Sequence, residues 1–261
     1  MNVISGPALL SPWRIRGLSI ALFTVISAAL WIGFSADTYF ASDGPFYFAI
    51  ILDNATFTHV SPSRAHAEYL TQWPLVLAVR SGVTDLKALE IFFGLGVWFP
   101  WILSFAISLY ATRERPALIF FFLISMVSLN LSSWCLIYGE HLTLLVLVWP
   151  IFYFGIMRRR LTFLEQILTA LLLVAHLKLY ETALVSGVIF TFIFAFRSWL
   201  EKNPRERWGS GVLAGLALAS VVIAVTWILF PRDLENRGHF LGAIVASLAH
   251  PYPWIGLSYV T

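Results

Sequence analysis

Apolar residues in this chain come in blocks separated by short polar breaks. The blocks run to about 17 to 25 residues, the length a helix needs to cross a hydrocarbon core of about 30 Å. Spans are predicted at 17–34, 89–111, 117–134, 142–157, 161–177, 181–196 and 209–230, with an eighth starting near 241. The expected fold class is therefore an all-α polytopic membrane protein of about 7–8 transmembrane helices, read as one transmembrane domain over 1–261. The polar breaks are short, with one exception, the loop 35–88.

That loop is too aromatic to be a disordered linker. "GPFYFAIILDNATF" opens on a Gly-Pro turn and predicts a short helix, too short to span. "SPSRAHAEYLTQWPLVLAVRSG" predicts a second helix, with Ser61 as N-cap, Pro62 at the first helical position and Gly82 at the end. Its apolar residues Leu70, Trp73, Pro74, Leu77 and Ala78 recur at spacings of three and four. Both segments read as interfacial helices with Trp and Tyr at headgroup depth. Asp37, Asp43 and Asp53 punctuate the start of the loop, and each also fits a cap or turn role. Arg64 and Glu68, one helical turn apart, read as a surface ion pair.

Composition agrees with the pattern. The chain is 59% hydrophobic and 12% charged, about half the charged fraction of a soluble domain. The single cysteine, Cys135, excludes an internal disulfide framework.

Charge position adds orientation. Arg14 and Arg16, Arg113 and Arg115, Arg158, Arg159 and Arg160, and Arg197, Lys202, Arg205 and Arg207 fall on one side of the predicted spans. The positive-inside rule makes that side, and the N-terminus, cytoplasmic. One long helix over 161–196 would break this pattern, whereas two short spans turning at "HLKLYE" preserve it. Most acids and histidines then fall outside, on a periplasmic or lumenal face, with Glu114, Glu165, Glu201 and Glu206 inside. The inner face reads as plain basic anchoring, and the outer face as the place for chemistry. Residues 231–261 read as an outer segment leading into the possible eighth span.

Two short outer turns carry charge: "YGEHL", with Glu140 and His141, and "HLKLYE", with His176, Lys178 and Glu181. Charges beside spans are costly and usually pair or line a polar cavity. A carboxylate with an imidazole can hold a divalent metal or act as acid and base. A lysine near the surface can neutralise a phosphate. The bland reading of each is an interfacial side chain snorkelling to water.

The order of a first span, a long outer loop with an early Asp, two interfacial helices, and spans joined by short turns with an acid resembles the GT-C class of membrane glycosyltransferases. "SDGPFYFAIILDNATFTHVSPSRAHAEYLTQWPLVLAVRSGVTDLKALEIFFGL" carries the likeness, which covers about residues 15–200. The chain departs from the family in lacking an acidic doublet in the first loop and a D-x-D in the second turn. It also stops at "HPYPWIGLSYVT", so a fragment of a longer chain or a minimal relative is expected.

The resemblance implies a sugar donor linked to polyprenyl phosphate, used at the outer face on an unknown acceptor. It places Asp43 as general base, with Asp37 as the alternate. The lipid phosphate would be met by Lys178, Arg64 and Arg80, or by a divalent metal held by Glu140 and His141. Membrane lipid and the lipid-linked sugar are the expected partners, with no nucleic acid. A transporter subunit, or a non-catalytic membrane scaffold, is the competing reading; the ionisable residues gather at one face rather than at mid-span, which argues against a transporter.

Overall fold

The computed structural model describes residues 11–35, 44–58, 64–133, 140–158, 160–179 and 183–230. The described residues are helical, with no strand among them. In chain order the helices are α1 (Pro12–Ser35), α2 (Gly44–Asn54), α3 (Ala65–Arg80), α4 (Leu86–Ala111), α5 (Ile119–Ser133), α6 (Glu140–Phe152), α7 (Phe163–His176), α8 (Ala183–Leu200) and α9 (Pro204–Leu229). Pro116–Leu118 forms a tight turn before α5, and Tyr153–Met157 extends α6 as a wider π-helical turn. The helices match the predicted spans within a few residues. Residues 161–196 are broken into α7 and α8, as the charge pattern required. The predicted eighth span lies outside the described residues.

Three helices, α4, α8 and α9, are long and apolar enough to cross a membrane. Shorter apolar helices cover Pro116–Ser128, Leu142–Met157 and Phe163–His176. Large apolar side chains face out of the bundle, among them Phe192 at 71% and Phe196 at 59% exposure on α8. Such faces are costly in water and ordinary in lipid, so the architecture fits an α-helical membrane protein.

The helix starts carry their own chemical causes. Asp85 caps α4 by accepting the Ala88 N–H at 2.7 Å. Thr162 and Glu165 form a reciprocal capping box at α7, which satisfies two orphan donors at once. Asn203 caps α9, with Pro204 at the first helical position. Gly82, at φ +81°, supplies the left-handed residue in the turn between α3 and α4.

Packing follows small residues. Lipid is as apolar as a protein core, so helices associate through close fit and polar contact rather than water exclusion. α8 and α9 form a hairpin in which Gly187 faces Ala217 and Ser220. A Cβ at Gly187 would stand 2.5 Å from Ser220 Oγ. α3 and α4 pack the same way, with Gly96 directly under the Thr71 carbonyl. Thr71 and Gly96 stand about equally far from the connecting turn, so α3 runs antiparallel to α4.

That packing corrects the expectation for α3. The side buried is Ala67, Glu68, Thr71, Gln72, Leu75 and Val76, while Tyr69, Trp73 and Leu77 are exposed. Of the predicted apolar stripe, Pro74 and Ala78 face inward and Leu70 is half-buried against the core, while Trp73 and Leu77 face out. α3 packs along α4.

The end of the bundle that carries the basic residues is also more than plain anchoring. Arg158, 3% exposed, pairs with Glu114 and, at 2.7 Å, with Glu165, which is 1% exposed. Arg113 Nη1 stands 3.1 Å from Glu165, close enough for an ion pair, and its guanidinium lies over the Tyr110 ring at 4.3 Å. Arg16 donates to the Arg113 carbonyl at 2.6 Å. Arg197 donates to the carbonyls of Gly155 and Arg158. The buried pair, Arg158 and Glu165, balances in charge, which is the condition for tolerating buried ions, and Arg113 and Glu114 meet it from the more exposed side. This network ties the α1, α4, α6, α7 and α8 termini into one basic end.

Candidate functional site

The opposite end is shaped by unequal helix lengths. α7 has 14 residues and α8 has 18, against 26 each for α4 and α9. At 1.5 Å per residue these are about 21, 27, 39 and 39 Å. All four have one terminus at the basic end, so the α7–α8 turn stops well short of the far ends of α4 and α9. α3, antiparallel to α4, brings its N-terminus down to that turn.

The contact there joins complementary helix ends. The His66 N–H, one of the unsatisfied donors of the first turn of α3, donates to the Lys178 carbonyl at 3.0 Å. His66 Nδ1 stands 3.1 Å from the Ala175 carbonyl in the last turn of α7. A carbonyl only accepts, so Nδ1 carries the proton in this contact. The positive end of α3 thus meets the negative end of α7, a favourable alignment of dipoles.

Around this contact lie further polar groups. Glu68, in the first turn of α3, is fully buried, with the Tyr47 hydroxyl 3.5 Å from its Oε1. Gln72, one turn on, accepts the Thr58 N–H at 2.8 Å and donates to the Thr58 carbonyl at 3.1 Å. This pair of hydrogen bonds clamps the segment after α2 onto α3. His176 ends α7 fully buried, with Nε2 2.7 Å from Ser186 Oγ and its ring edge-on to Phe190. Its Nδ1 has no hydrogen-bond partner among the described residues. Arg64, the N-cap of α3, and Lys178 are both half-buried. Two cations and, one turn along α3 from Arg64, a buried carboxylate are thus carried by the segments that meet at this junction.

The sequence-predicted residues divide. Arg64 and Lys178 come to the same junction through His66. Arg80 does not join them. It ends α3, about 24 Å along the axis from the start of that 16-residue helix, and its Nε donates to the Ala55 carbonyl at 2.8 Å. A single phosphate cannot touch both Arg64 and Arg80, so the expected three-cation set is reduced to two.

Asp43 and Asp37 lie outside the described residues; Gly44, which follows Asp43, begins α2. Asp53 is exposed in the last turn of α2, consistent with the bland reading. Glu140 and His141 are the first two residues of α6; their side chains lie outside the described set. α6 with its π turn spans 18 residues, about 27 Å, so it begins near the depth of the α7–α8 turn. Among the described residues, no three His, Cys, Asp or Glu side chains form a group able to hold a metal.

His66, Glu68, Gln72 and His176 were not singled out as site residues in the sequence reading. Glu68 was expected in a surface pair, and its complete burial overturns that. The missed signal was the stripe of small and polar residues from Ala67 to Gln72, which in lipid marks the protein-facing side. Comparison with family models, curated proteins and solved structures finds no match.

Proposed function

We propose that this chain is a membrane glycosyltransferase-like protein that takes a sugar from a polyprenyl-phosphate carrier at the outer face of the membrane. In this reading the chain crosses the bilayer seven or eight times with its N-terminus in the cytoplasm. The observation that supports it is the junction of α3 with the α7–α8 turn. The one long loop of the sequence and a short charged turn from a remote span meet there, recessed below the far ends of α4 and α9.

The chemistry assigned to the junction is a single displacement. A carboxylate, Asp43 with Asp37 as alternate, takes the proton from an acceptor hydroxyl or amine. The acceptor atom bonds to the anomeric carbon as the carbon–oxygen bond to phosphate breaks, and the configuration inverts. The lipid phosphate leaves with the bonding electrons, and Lys178 and Arg64 neutralise its growing charge. Grooves between helices, lined by exposed Phe and Leu, would carry the isoprenoid chain. Glu140 and His141 are the residues this reading would give to a divalent cation, and no step depends on one.

The test is transfer of labelled sugar from a polyprenyl-phosphate donor in proteoliposomes holding the full chain, with a membrane extract as acceptor source. Asp43→Asn is expected to abolish transfer, and Lys178→Ala to lower it at least tenfold. Arg80→Ala, remote from the junction, is expected to retain it. Absence of transfer by the unaltered chain, or transfer indifferent to Asp43 and Lys178, would overturn the proposal.

A further inference from the structure

At the basic end, the connection between α8 and α9 encloses a groove of about 410 Å³ lined by Ser198, Lys202, Pro204, Arg207, Trp208 and Gly211. We propose that this groove holds the headgroup phosphate of an acidic membrane phospholipid between Lys202 and Arg207. The inference is independent of the glycosyl-transfer reading.

Charge accounting points to these two cations. Arg197 is committed to two backbone carbonyls. Arg160 reaches Glu206 at 3.9 Å. The carboxylate of Glu201 accepts the Asn203 N–H, and Glu206 accepts from Asn203 Nδ2. Lys202 and Arg207 have no side-chain ion pair or hydrogen bond among the described residues. Two cations therefore share one concave surface while the nearby acids are engaged elsewhere.

The groove is also held in shape. Ser198 Oγ donates to the Arg207 carbonyl at 2.9 Å, tying the last turn of α8 to the first turn of α9. Gly211 adds no side chain to the wall, and a Cβ there would come within 3.5 Å of Ser198 Oγ.

The surroundings select a lipid over a free anion. Trp208 and Trp199 are 77% and 73% exposed beside the groove, the amphipathic rings typical of headgroup depth. Below them, Phe196 on α8 and Val212 on α9 are exposed. A phosphate seated at Lys202 and Arg207 would therefore have its acyl chains running down the apolar outer faces of two helices long enough to cross a membrane.

Native mass spectrometry of the full chain in detergent, with phosphatidylglycerol or phosphatidylcholine added at equal concentration, tests this. Attraction of about 1 kcal/mol, or about fivefold, per basic residue predicts retention of phosphatidylglycerol about thirtyfold over phosphatidylcholine. Lys202→Gln with Arg207→Gln should reduce that preference to within about threefold. Arg205→Gln, which removes a charge from the same turn but does not line the groove, should leave most of it. An undiminished phosphatidylglycerol preference in the double variant, or an equal loss in Arg205→Gln, would overturn the site in favour of diffuse surface charge. If the double variant elutes as aggregate, Arg207→Gln alone serves; it must lose about fivefold in preference, and no loss overturns the proposal.

Discussion

Gly96 offers the sharpest structural test, because a single methyl there meets backbone rather than a movable side chain. A Cβ at Gly96 would stand 1.7 Å from the Thr71 carbonyl oxygen and 2.9 Å from its carbon, with Pro74 Cδ at 3.2 Å. Carbon–oxygen contacts settle near 3.3 Å, so α3 must retreat by roughly 1.6 Å. No rotamer change relieves the clash. Overpacking of a tight core costs about 1–3 kcal/mol, and a displacement that also loosens the Gln72 clamp and the His66 contacts belongs at or above the top of that range. Gly96→Ala should therefore lose about 3 kcal/mol, which for a chain of this size lowers the melting temperature by about 6–10 °C. Gly215→Ala is the matched control. Its Cβ would meet nothing within 4 Å, and replacing a mid-helix glycine adds up to about 1 kcal/mol. The assay is the fraction of each variant that remains monodisperse on size exclusion after heating in detergent. Equal melting temperatures for the two variants, or a shift of the same sign, would refute the docking of α3 on α4.

Three further outcomes follow from named contacts. Glu165→Gln should cost up to about 3–5 kcal/mol, because it leaves buried Arg158 with the exposed Glu114 alone. Arg158→Met combined with Glu165→Leu should cost clearly less than the two single changes added together, in the same heating assay. Gln72→Leu leaves the Thr58 N–H and carbonyl unpaired and should cost about 1–3 kcal/mol, with protease cleavage between α2 and α3 appearing earlier in a time course. Ser186→Ala removes the hydrogen-bond partner of buried His176 and should cost about 1–2 kcal/mol, while Ser186→Thr retains the hydroxyl and most of the stability.

Much of the helix layout was legible because apolar run length and charge position are local in sequence. The break between α7 and α8 is the clearest case, since a single helix over 161–196 would have placed the Arg197–Arg207 cluster at the wrong end. The faces of the helices were harder to read. In α3 the spacing of Trp73 and Leu77 was real, but it marked the exposed side, as expected where large apolar residues face lipid and Gly, Ala, Ser and Thr allow helices to approach. The buried ion network was hidden for another reason. Glu114 and Arg158 are 44 positions apart, and only the packing of α4, α6 and α7 shows that the pair Arg113 and Glu114 meets the pair Arg158 and Glu165. The separation of Arg64 from Arg80 is plain once α3 is one unbroken helix.

The central claim is that the first long loop enters the bundle and seats the N-terminus of α3 against the α7–α8 turn. Cysteine pairing measures this directly. With Cys135→Ser removing the native thiol, His66→Cys and Lys178→Cys replace two residues whose backbones share a hydrogen bond of 3.0 Å. Mild oxidation of intact membranes should form the internal disulfide within minutes, while Arg80→Cys with Lys178→Cys should form none. Failure of the His66–Lys178 pair to crosslink, or equal crosslinking by the Arg80 pair, would contradict the junction on which the proposed site is built.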